Sequence, residues 1–154
     1  MPQILESPVQ ALNAVDYFKA KLQFENSPRG VHEIMKLPSV VVLDVRDRDS
    51  YAREHVPGAW NIPLAELPRK AADLPKDKII VCYCWTITCA LAPKAALELA
   101  HRGYKVQEMV GGIAAWKADG YPVQGAAPGP EDDDDRLAAR LADRHYVWMI
   151  LFHR

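Results

Sequence analysis

Two cysteines stand at the two ends of one short loop, and their positions indicate a reactive thiol. Cys84 ends the apolar, strand-like run KIIVCYC, and Cys89 opens the helix-like run CALAPKAALELAHRG. An α/β sheet binds its ligands at the carboxyl ends of its strands, and the free N–H groups at the start of a helix favour an anion. A thiol in such a place is expected to have a pKa below its usual value of about 8.5. The spacing therefore predicts that Cys84 is a nucleophile.

The residues between the two cysteines would surround whatever reacts with Cys84. Backbone N–H groups of a tightly curled loop can hold an anion, so we predict that the loop binds the substrate (Trp85, Thr86, Ile87, Thr88 and Cys89). Cys82 lies two residues earlier in the strand and is expected to point into packing. The alternative for Cys84 is a structural role, as a small apolar residue at a buried strand end.

The segments around this loop predict an α/β fold. Nearly continuous runs of β-branched and apolar residues, such as SVVVLDV, are typical of strands buried on both faces of a parallel sheet. Helix-like segments alternate with these runs, so we expect a mainly parallel central sheet flanked by helices on both faces. The predicted strands are 39–45, 59–61, 78–84 and 105–110, and the predicted helical segments are 50–55, 64–75, 89–103 and 113–120.

Residues 1–36 predict a helical leader packed on the domain. Ser7 as N-cap and Pro8 at the first helical position indicate the start of a helix. Apolar residues at spacings of three or four make this helix amphipathic (Leu12, Val15, Phe18 and Leu22). A break at 26–30 and a short helix within VHEIMKL, residues 31–37, are expected to follow.

The domain is expected to occupy residues 37–125, because the composition changes after Gly125. Residues 126–135 combine prolines with an acidic run, which predicts a linker. Arginines and leucines recur every four residues in 136–154, which predicts a C-terminal amphipathic helix or extension (Arg136, Arg140, Arg144, Leu137 and Leu141). We expect this extension to cover an apolar patch of its own domain or to pair two subunits in a homodimer, with a membrane interface as the third alternative.

Composition excludes several classes of partner and compartment. The 154 residues carry a formal net charge of −1, which gives no global attraction to nucleic acid or to an anionic membrane. Three cysteines, an odd number, favour a reducing compartment over a disulfide framework. The N-terminus lacks the pattern of a signal peptide, and no apolar run is long enough to span a membrane. The expected location is the cytoplasm.

Four motifs, in order along the chain, resemble those of the rhodanese-like sulfurtransferases. They are VVLDVRD, HVPGAWNIP, VCYC with its loop and alanine-rich helix, and GYKVQEMVGGIAAWKADGYPV. The resemblance covers residues 37–124, and the N-terminal leader is similar to that of one subset of the family.

The resemblance implies a function for the loop. Cys84 would take a sulfane sulfur from thiosulfate or a low-molecular-weight persulfide, hold it as a persulfide, and pass it to cyanide or a thiol. No metal and no organic cofactor are implied. Asp44 and Arg46 would brace neighbouring loops as a buried ion pair, and His55 and Asn61 would satisfy backbone groups.

The loop departs from the family pattern at two points. The family's loop of six residues usually ends in a cation and contains a glycine, whereas this loop ends in Cys89 and has no glycine. Without the cation, a doubly charged donor such as thiosulfate is expected to react weakly. Ile87 and Thr88 are poorly suited to positive φ, so the loop either curls differently or carries strain.

Cys89 suggests a further hypothesis. The ends of a tight loop can approach within the roughly 4.4 to 6.8 Å that the Cα atoms of a disulfide need. Cys89 would then resolve a persulfide on Cys84 or protect Cys84 from overoxidation, the alternative being a buried residue at the start of a helix. Three other functions stay open: a non-catalytic binding or regulatory module, a thiol-disulfide redox protein using Cys84 and Cys89, and a phosphatase. A phosphatase needs an arginine where this chain has Ala90.

Overall fold

A computed structural model describes residues 12–125, and these form an α/β fold around one parallel sheet. The strands are β1 (Glu25–Asn26), β2 (Val40–Asp44), β3 (Trp60–Asn61), β4 (Ile79–Tyr83) and β5 (Lys105–Met109). Their order in the sheet is β1-β5-β4-β2-β3, and each pairing between these strands is parallel. The central position of β4 places its carboxyl end in the middle of one edge of the sheet.

Helices cover both faces of the sheet, as the sequence predicts. They are α1 (Ala14–Phe24), α2 (Pro28–Ile34), α3 (Arg48–Arg53), α4 (Leu67–Lys70), α5 (Leu91–His101) and α6 (Gly112–Ala118), and 3₁₀ turns flank α4 at Leu64–Glu66 and Ala71–Asp73. One buried cluster joins α4 and α5 to the sheet, and a second joins α2 and α6 to its other face. The predicted fold class is therefore confirmed.

The two central strands, β2 and β4, supply both clusters because successive side chains of a strand point to opposite faces. Val41 and Leu43 belong to the cluster under α5, and Val42 belongs to the cluster under α6. In β4 the same alternation sends Cys82 to the α5 side and Tyr83 to the α6 side. Burial on both faces explains why these strands read as continuous apolar runs.

The start and the packing face of the first helix differ from the prediction. The helix begins at Ala14, capped by the Asn13 side chain, which accepts a hydrogen bond from the Asp16 N–H. Ser7 and Pro8 lie outside the described residues. The predicted apolar face is exposed instead of packed (Leu12, Val15, Phe18 and Leu22). A second set of residues spaced three and four apart lines an open groove beside α5 and β5, with Tyr17 and Phe24 still 48% and 47% exposed (Tyr17, Ala20 and Phe24). The sequence offers two apolar faces, and spacing alone does not choose between them.

The predicted break at 26–30 is wrong, because helix α2 begins within it. Ser27 caps this helix by accepting a hydrogen bond from the Gly30 N–H, and Pro28 occupies the first turn, where its missing N–H is tolerated. The break also hides the edge strand β1, which pairs only Glu25 and Asn26 with β5. So short a strand has no periodic pattern to detect.

The predicted end of the alanine-rich helix agrees with the structure. Gly103 follows α5 in the left-handed conformation, with φ of 82°. The predicted linker 126–135 and extension 136–154 lie outside the described residues. Within residues 12–125, no helix is both long and apolar enough to cross a membrane.

Candidate active site

Cys84 lies where the sequence predicts it, directly after the carboxyl end of β4. The strand ends at Tyr83, and the chain passes from Cys84 through the loop to Leu91, the first residue of α5. Only 2% of Cys84 is exposed, so the thiol lies at the bottom of the loop. Ile87 stands at its rim and is 74% exposed.

Two hydrogen bonds from α6 fix the start of this loop. The Ile113 N–H donates to the Cys84 carbonyl, and the Ala114 N–H donates to the Trp85 carbonyl, both at 3.0 Å. Gly112 makes this approach sterically allowed. It has φ of 59°, and a Cβ at this position would lie 2.5 Å from the Cys84 carbonyl oxygen. The Gly-Gly turn is therefore part of the site, a role that its sequence does not reveal.

The loop curls without glycine and without positive φ. Among residues 12–125, every positive φ belongs to a glycine, and the loop contains none. The Cys89 N–H donates to the Thr86 carbonyl at 3.1 Å, which closes a turn, and the Thr86 and Thr88 hydroxyls are 3.2 Å apart. Of the two alternatives left by the sequence, the loop curls differently. The Cys89 N–H is consequently engaged within the loop.

The environment of Cys84 contradicts the predicted low pKa. Burial raises the pKa of the Cys84 thiol to about 11, and its contact with the Cys89 thiol adds to the rise. The N–H groups of Ala92 and Trp85 act in the opposite direction but do not offset burial. The Cys84 thiol donates to the Cys89 carbonyl at 3.5 Å, which also favours its protonated form. The rise in the pKa of Cys84 caused by burial at the strand end is therefore larger than the fall caused by the N–H groups at the start of the helix.

Cys89 is the more acidic thiol of the pair. Burial raises its pKa, but interactions with the Cys84 side chain and with the N–H groups of Trp85, Leu91 and Thr86 outweigh burial. The net result is a pKa of Cys89 below its ordinary value. Cys84 therefore holds its proton more tightly than Cys89 does.

Asp44 and Arg46 form a buried ion pair at the end of β2, beside the loop. The Arg46 Nε–H donates to Asp44 Oδ1 at 3.0 Å, and its Nη2 donates to Asp44 Oδ2 and to the Glu54 carbonyl, both at 2.7 Å. Both side chains are fully buried. The Tyr83 hydroxyl donates to Asp44 Oδ2 at 2.6 Å and accepts from the Val56 N–H at 3.0 Å. The pair thus joins the ends of β2 and β4 to the chain after α3.

His55 and Asn61 contact backbone groups of the same region. The Asn61 amide donates to the carbonyls of Asp44 and Arg46 at 3.1 and 3.0 Å. His55 Nδ1 lies 2.7 Å from the Tyr51 carbonyl, and the His55 ring stacks on the Tyr51 ring. The structure describes no contact of either side chain with Cys84.

Trp85 makes a contact that the sequence does not predict. Its indole covers the Arg46 guanidinium, with Cζ 4.6 Å from the ring centroid. The Val45 N–H donates to the Tyr83 carbonyl, and this parallel register brings Arg46 beside Trp85. A buried cation therefore lies under the first residue of the loop. Among residues 12–125, no cluster of three or more acidic, histidine or cysteine side chains is arranged to hold a metal ion.

Comparison with known proteins connects this site to one family. A family model described as a rhodanese-like domain matches residues 27–119. The chain is 39% identical over 89 residues to the HTH-type transcriptional regulator Rv0324 of Mycobacterium tuberculosis, covering 58% of this chain and 39% of that protein. It is 33% identical over 87 residues to a thiosulfate sulfurtransferase, GlpE, of Coxiella burnetii, covering 56% of this chain and 79% of that protein. The chain thus matches about two fifths of the first relative's length.

A solved structure agrees with these sequence matches. The BH2092 protein from Bacillus halodurans superposes with a TM-score of 0.68 at 33% identity, covering 73% of this chain and 84% of that chain. The matched family segment contains the loop from Cys84 to Cys89 and both members of the buried ion pair.

Proposed function

The chain belongs to the rhodanese-like domain family, and on that premise we propose that it is a sulfurtransferase that carries sulfane sulfur as a persulfide on Cys84. The observation that carries the proposal is the position of Cys84, at the carboxyl end of the central strand and inside a loop held by α6. The similarity to a protein named thiosulfate sulfurtransferase supports it.

The reaction has two displacement steps. The Cys84 thiolate attacks the outer sulfur of the donor, the donor's S–S bond breaks, and sulfite or a thiolate leaves with the electron pair. An acceptor nucleophile, cyanide or a thiolate, then attacks the outer sulfur of the persulfide and releases the Cys84 thiolate. Atoms and charge balance without a metal or an organic cofactor.

Cys89 is suited to start this sequence as the proton acceptor. Cys84 must lose its proton before it attacks, and burial holds that proton in place. Cys89 is placed to accept this proton as a thiolate, because the Cys84 sulfur lies 3.5 Å from the Cys89 carbonyl and the loop lowers the pKa of Cys89. Transfer of the proton from Cys84 to Cys89 keeps the charge of the pair constant, so no charge has to be brought into the buried site.

The loop favours a donor of low charge in the conformation described. Its last position holds Cys89 where the family usually has a cation, and its rim presents Ile87 and the two threonine hydroxyls. We therefore propose a low-molecular-weight persulfide as the better donor and thiosulfate as the weaker one.

Mass spectrometry of the intact protein tests the proposal. The chain is incubated with thiosulfate or with glutathione persulfide, and we expect one added sulfur atom, mapped to the peptide that carries Cys84. Cys84→Ser should abolish the addition. Cys82→Ala is the matched control and should keep it, because Cys82 is fully buried and burial raises its pKa to about 12.

Two results would contradict the sulfurtransferase. One is an added sulfur that persists in Cys84→Ser, which would move the carrier elsewhere. The other is a wild-type chain that takes sulfur from neither donor, which would favour a non-catalytic binding module.

The approach of the Cys84 sulfur to within 3.5 Å of the Cys89 carbonyl also favours a resolving role for Cys89. In this second function the Cys89 thiolate attacks the inner sulfur of the persulfide, hydrosulfide leaves with the electron pair, and a disulfide joins Cys84 and Cys89. The persulfide should then be shorter-lived in the wild-type chain than in Cys89→Ser. Equal lifetimes in the two proteins, followed by mass spectrometry after removal of the donor, would rule the resolving role out.

A further inference from the structure

Arg46 has hydrogen-bonding capacity that its structural partners do not use. Its Nε and Nη2 groups are bound to Asp44 and to the Glu54 carbonyl. Its Nη1 is buried and has no hydrogen-bond partner. A buried unpaired N–H group is unfavourable, and such groups in native proteins are uncommon enough to need an explanation. Bracing alone does not provide one, because Asp44 and Glu54 already use the rest of the guanidinium.

Trp85 covers the guanidinium to which this nitrogen belongs. The indole lies over the guanidinium at 4.6 Å, and the side chain is 38% exposed, so its other face meets solvent. Hydrogen bonds hold the Trp85 carbonyl to α6, but no side-chain hydrogen bond of Trp85 is described. No side-chain hydrogen bond among the described residues would have to break for the indole to rotate off Arg46 while the backbone of the loop stays in place.

We propose that Arg46 is a covered anion-binding residue of the Cys84 site, exposed when the Trp85 side chain rotates away, and that it receives the sulfonate group of thiosulfate or of a thiosulfonate. Its position fits this role, because Arg46 lies in register with Trp85, the residue next to Cys84. The unpartnered Nη1 group can donate charge-assisted hydrogen bonds to a tetrahedral oxyanion. This inference rests on the proposed sulfurtransferase function and adds the class of donor that the site accepts after rearrangement.

The cover sets the expected size of the effect. A cation–π contact of this kind favours the closed position, in which Trp85 covers Arg46, over the open position by a population ratio of about 2 to 30. A ligand that binds only the open position loses affinity by that same factor. Removing the indole should therefore increase oxyanion affinity by about 2- to 30-fold, while a donor without an oxyanion gains nothing from it.

Direct binding tests the proposal without relying on turnover. Sulfate is titrated into the full chain and into Trp85→Ala while NMR follows the guanidinium N–H signals of Arg46. We expect these signals to shift with saturation in Trp85→Ala, at a sulfate concentration at least about twofold lower than in the wild-type chain. Trp85→Phe keeps an aromatic cover and should behave like the wild type. Arg46 signals that do not respond to sulfate in Trp85→Ala would overturn the proposal, even where Arg46→Lys fails to fold.

Turnover separates this proposal from the proposed function. The ratio of kcat/KM for thiosulfate to kcat/KM for the persulfide of an uncharged thiol should rise in Trp85→Ala by the same factor as sulfate affinity. Adding Arg46→Lys to Trp85→Ala should remove the gain, because lysine has no counterpart of the Nη1 group that remains free while the rest of the guanidinium binds Asp44. An unchanged ratio in Trp85→Ala would overturn the role of Arg46 and leave sulfur transfer by Cys84 standing. A wild-type chain that loads sulfur from neither donor would refute sulfur transfer, and the sulfate titration would still decide the role of Arg46.

Discussion

Gly112→Ala tests whether the close approach of α6 holds the Cys84 loop in place. The new Cβ would lie 2.5 Å from the Cys84 carbonyl oxygen and 2.7 Å from the Trp85 carbonyl carbon, and both are backbone atoms. The left-handed conformation of residue 112, with φ of 59°, costs a non-glycine residue about 1 to 2 kcal/mol. Relief of the clash separates α6 from the loop and breaks the hydrogen bonds donated by Ile113 and Ala114, each contributing about 1 kcal/mol. We expect the free energy of unfolding to fall by about 3 to 4 kcal/mol.

Gly120→Ala is the matched control for this substitution. Gly120 also has a positive φ, 82°, but a Cβ there would meet nothing within 4 Å. It should therefore cost only the backbone term, about 1 to 2 kcal/mol. Urea denaturation measures both losses, and the rate of sulfur loading on Cys84 should fall in Gly112→Ala but not in Gly120→Ala. If the two variants lose the same stability and load sulfur equally fast, the contact between α6 and the loop is not tight and the reasoning is refuted.

Two further predictions concern the thiol pair and the buried tyrosine. Burial raises the pKa of Cys84 to about 11, so alkylation of Cys84 by iodoacetamide should speed up as the pH rises toward that value. Cys89→Ser removes the two contributions of Cys89 that raise the pKa of Cys84, so the midpoint of this pH dependence should move to lower pH. A midpoint that does not move, measured by peptide mass spectrometry, would show that the two thiols are independent. Tyr83→Phe leaves the Val56 N–H buried without its partner and should lower the free energy of unfolding by about 1 to 3 kcal/mol. The loss should be smaller in Tyr51→Phe, which removes one hydrogen bond to the Ala59 carbonyl. Equal losses of the two variants in urea denaturation would contradict a bridging role for the Tyr83 hydroxyl.

The sequence was sufficient to predict the central strands of the sheet and the position of the loop. Runs such as SVVVLDV are typical of a strand buried on both faces of a sheet. The cysteine that ends the next such run must then lie at the carboxyl edge of the sheet. The structure confirms both β2 and β4 at these positions. The sequence pattern was clear because burial on both faces favours an apolar side chain at nearly every position of the strand.

The acidity of Cys84 could not be predicted in the same way. The position at the start of a helix favours the thiolate, whereas the depth of the site favours the thiol, and only coordinates show that 2% of Cys84 is exposed. The prediction of the packing face of the first helix was wrong for a related reason. Its two apolar faces have the same spacing, and the choice between Phe18 and Phe24 depends on where the neighbouring α5 and β5 lie. Competing short-range signals are decided by tertiary contacts that one sequence does not display.

The loop lacks the glycine and the cation of the family pattern, and the structure explains each difference separately. The loop closes with the hydrogen bond from Cys89 to Thr86 and needs no positive φ of its own, while Gly112 in α6 provides the space that a backbone-to-backbone approach requires. The cation lies below the loop instead of at its end, as Arg46 under Trp85. Replacing Cys89 with arginine should therefore not simply restore the family's pattern. It would remove the acidic member of the thiol pair, and with it the group that accepts the proton of Cys84 in the proposed mechanism. Cys84 would then lose its proton to solvent at a lower pH, because the two contributions of Cys89 that raise its pKa are gone as well. A gain in thiosulfate binding together with a lower pH midpoint for attack by Cys84 is the expected result, and single-turnover kinetics over a pH series separates the two.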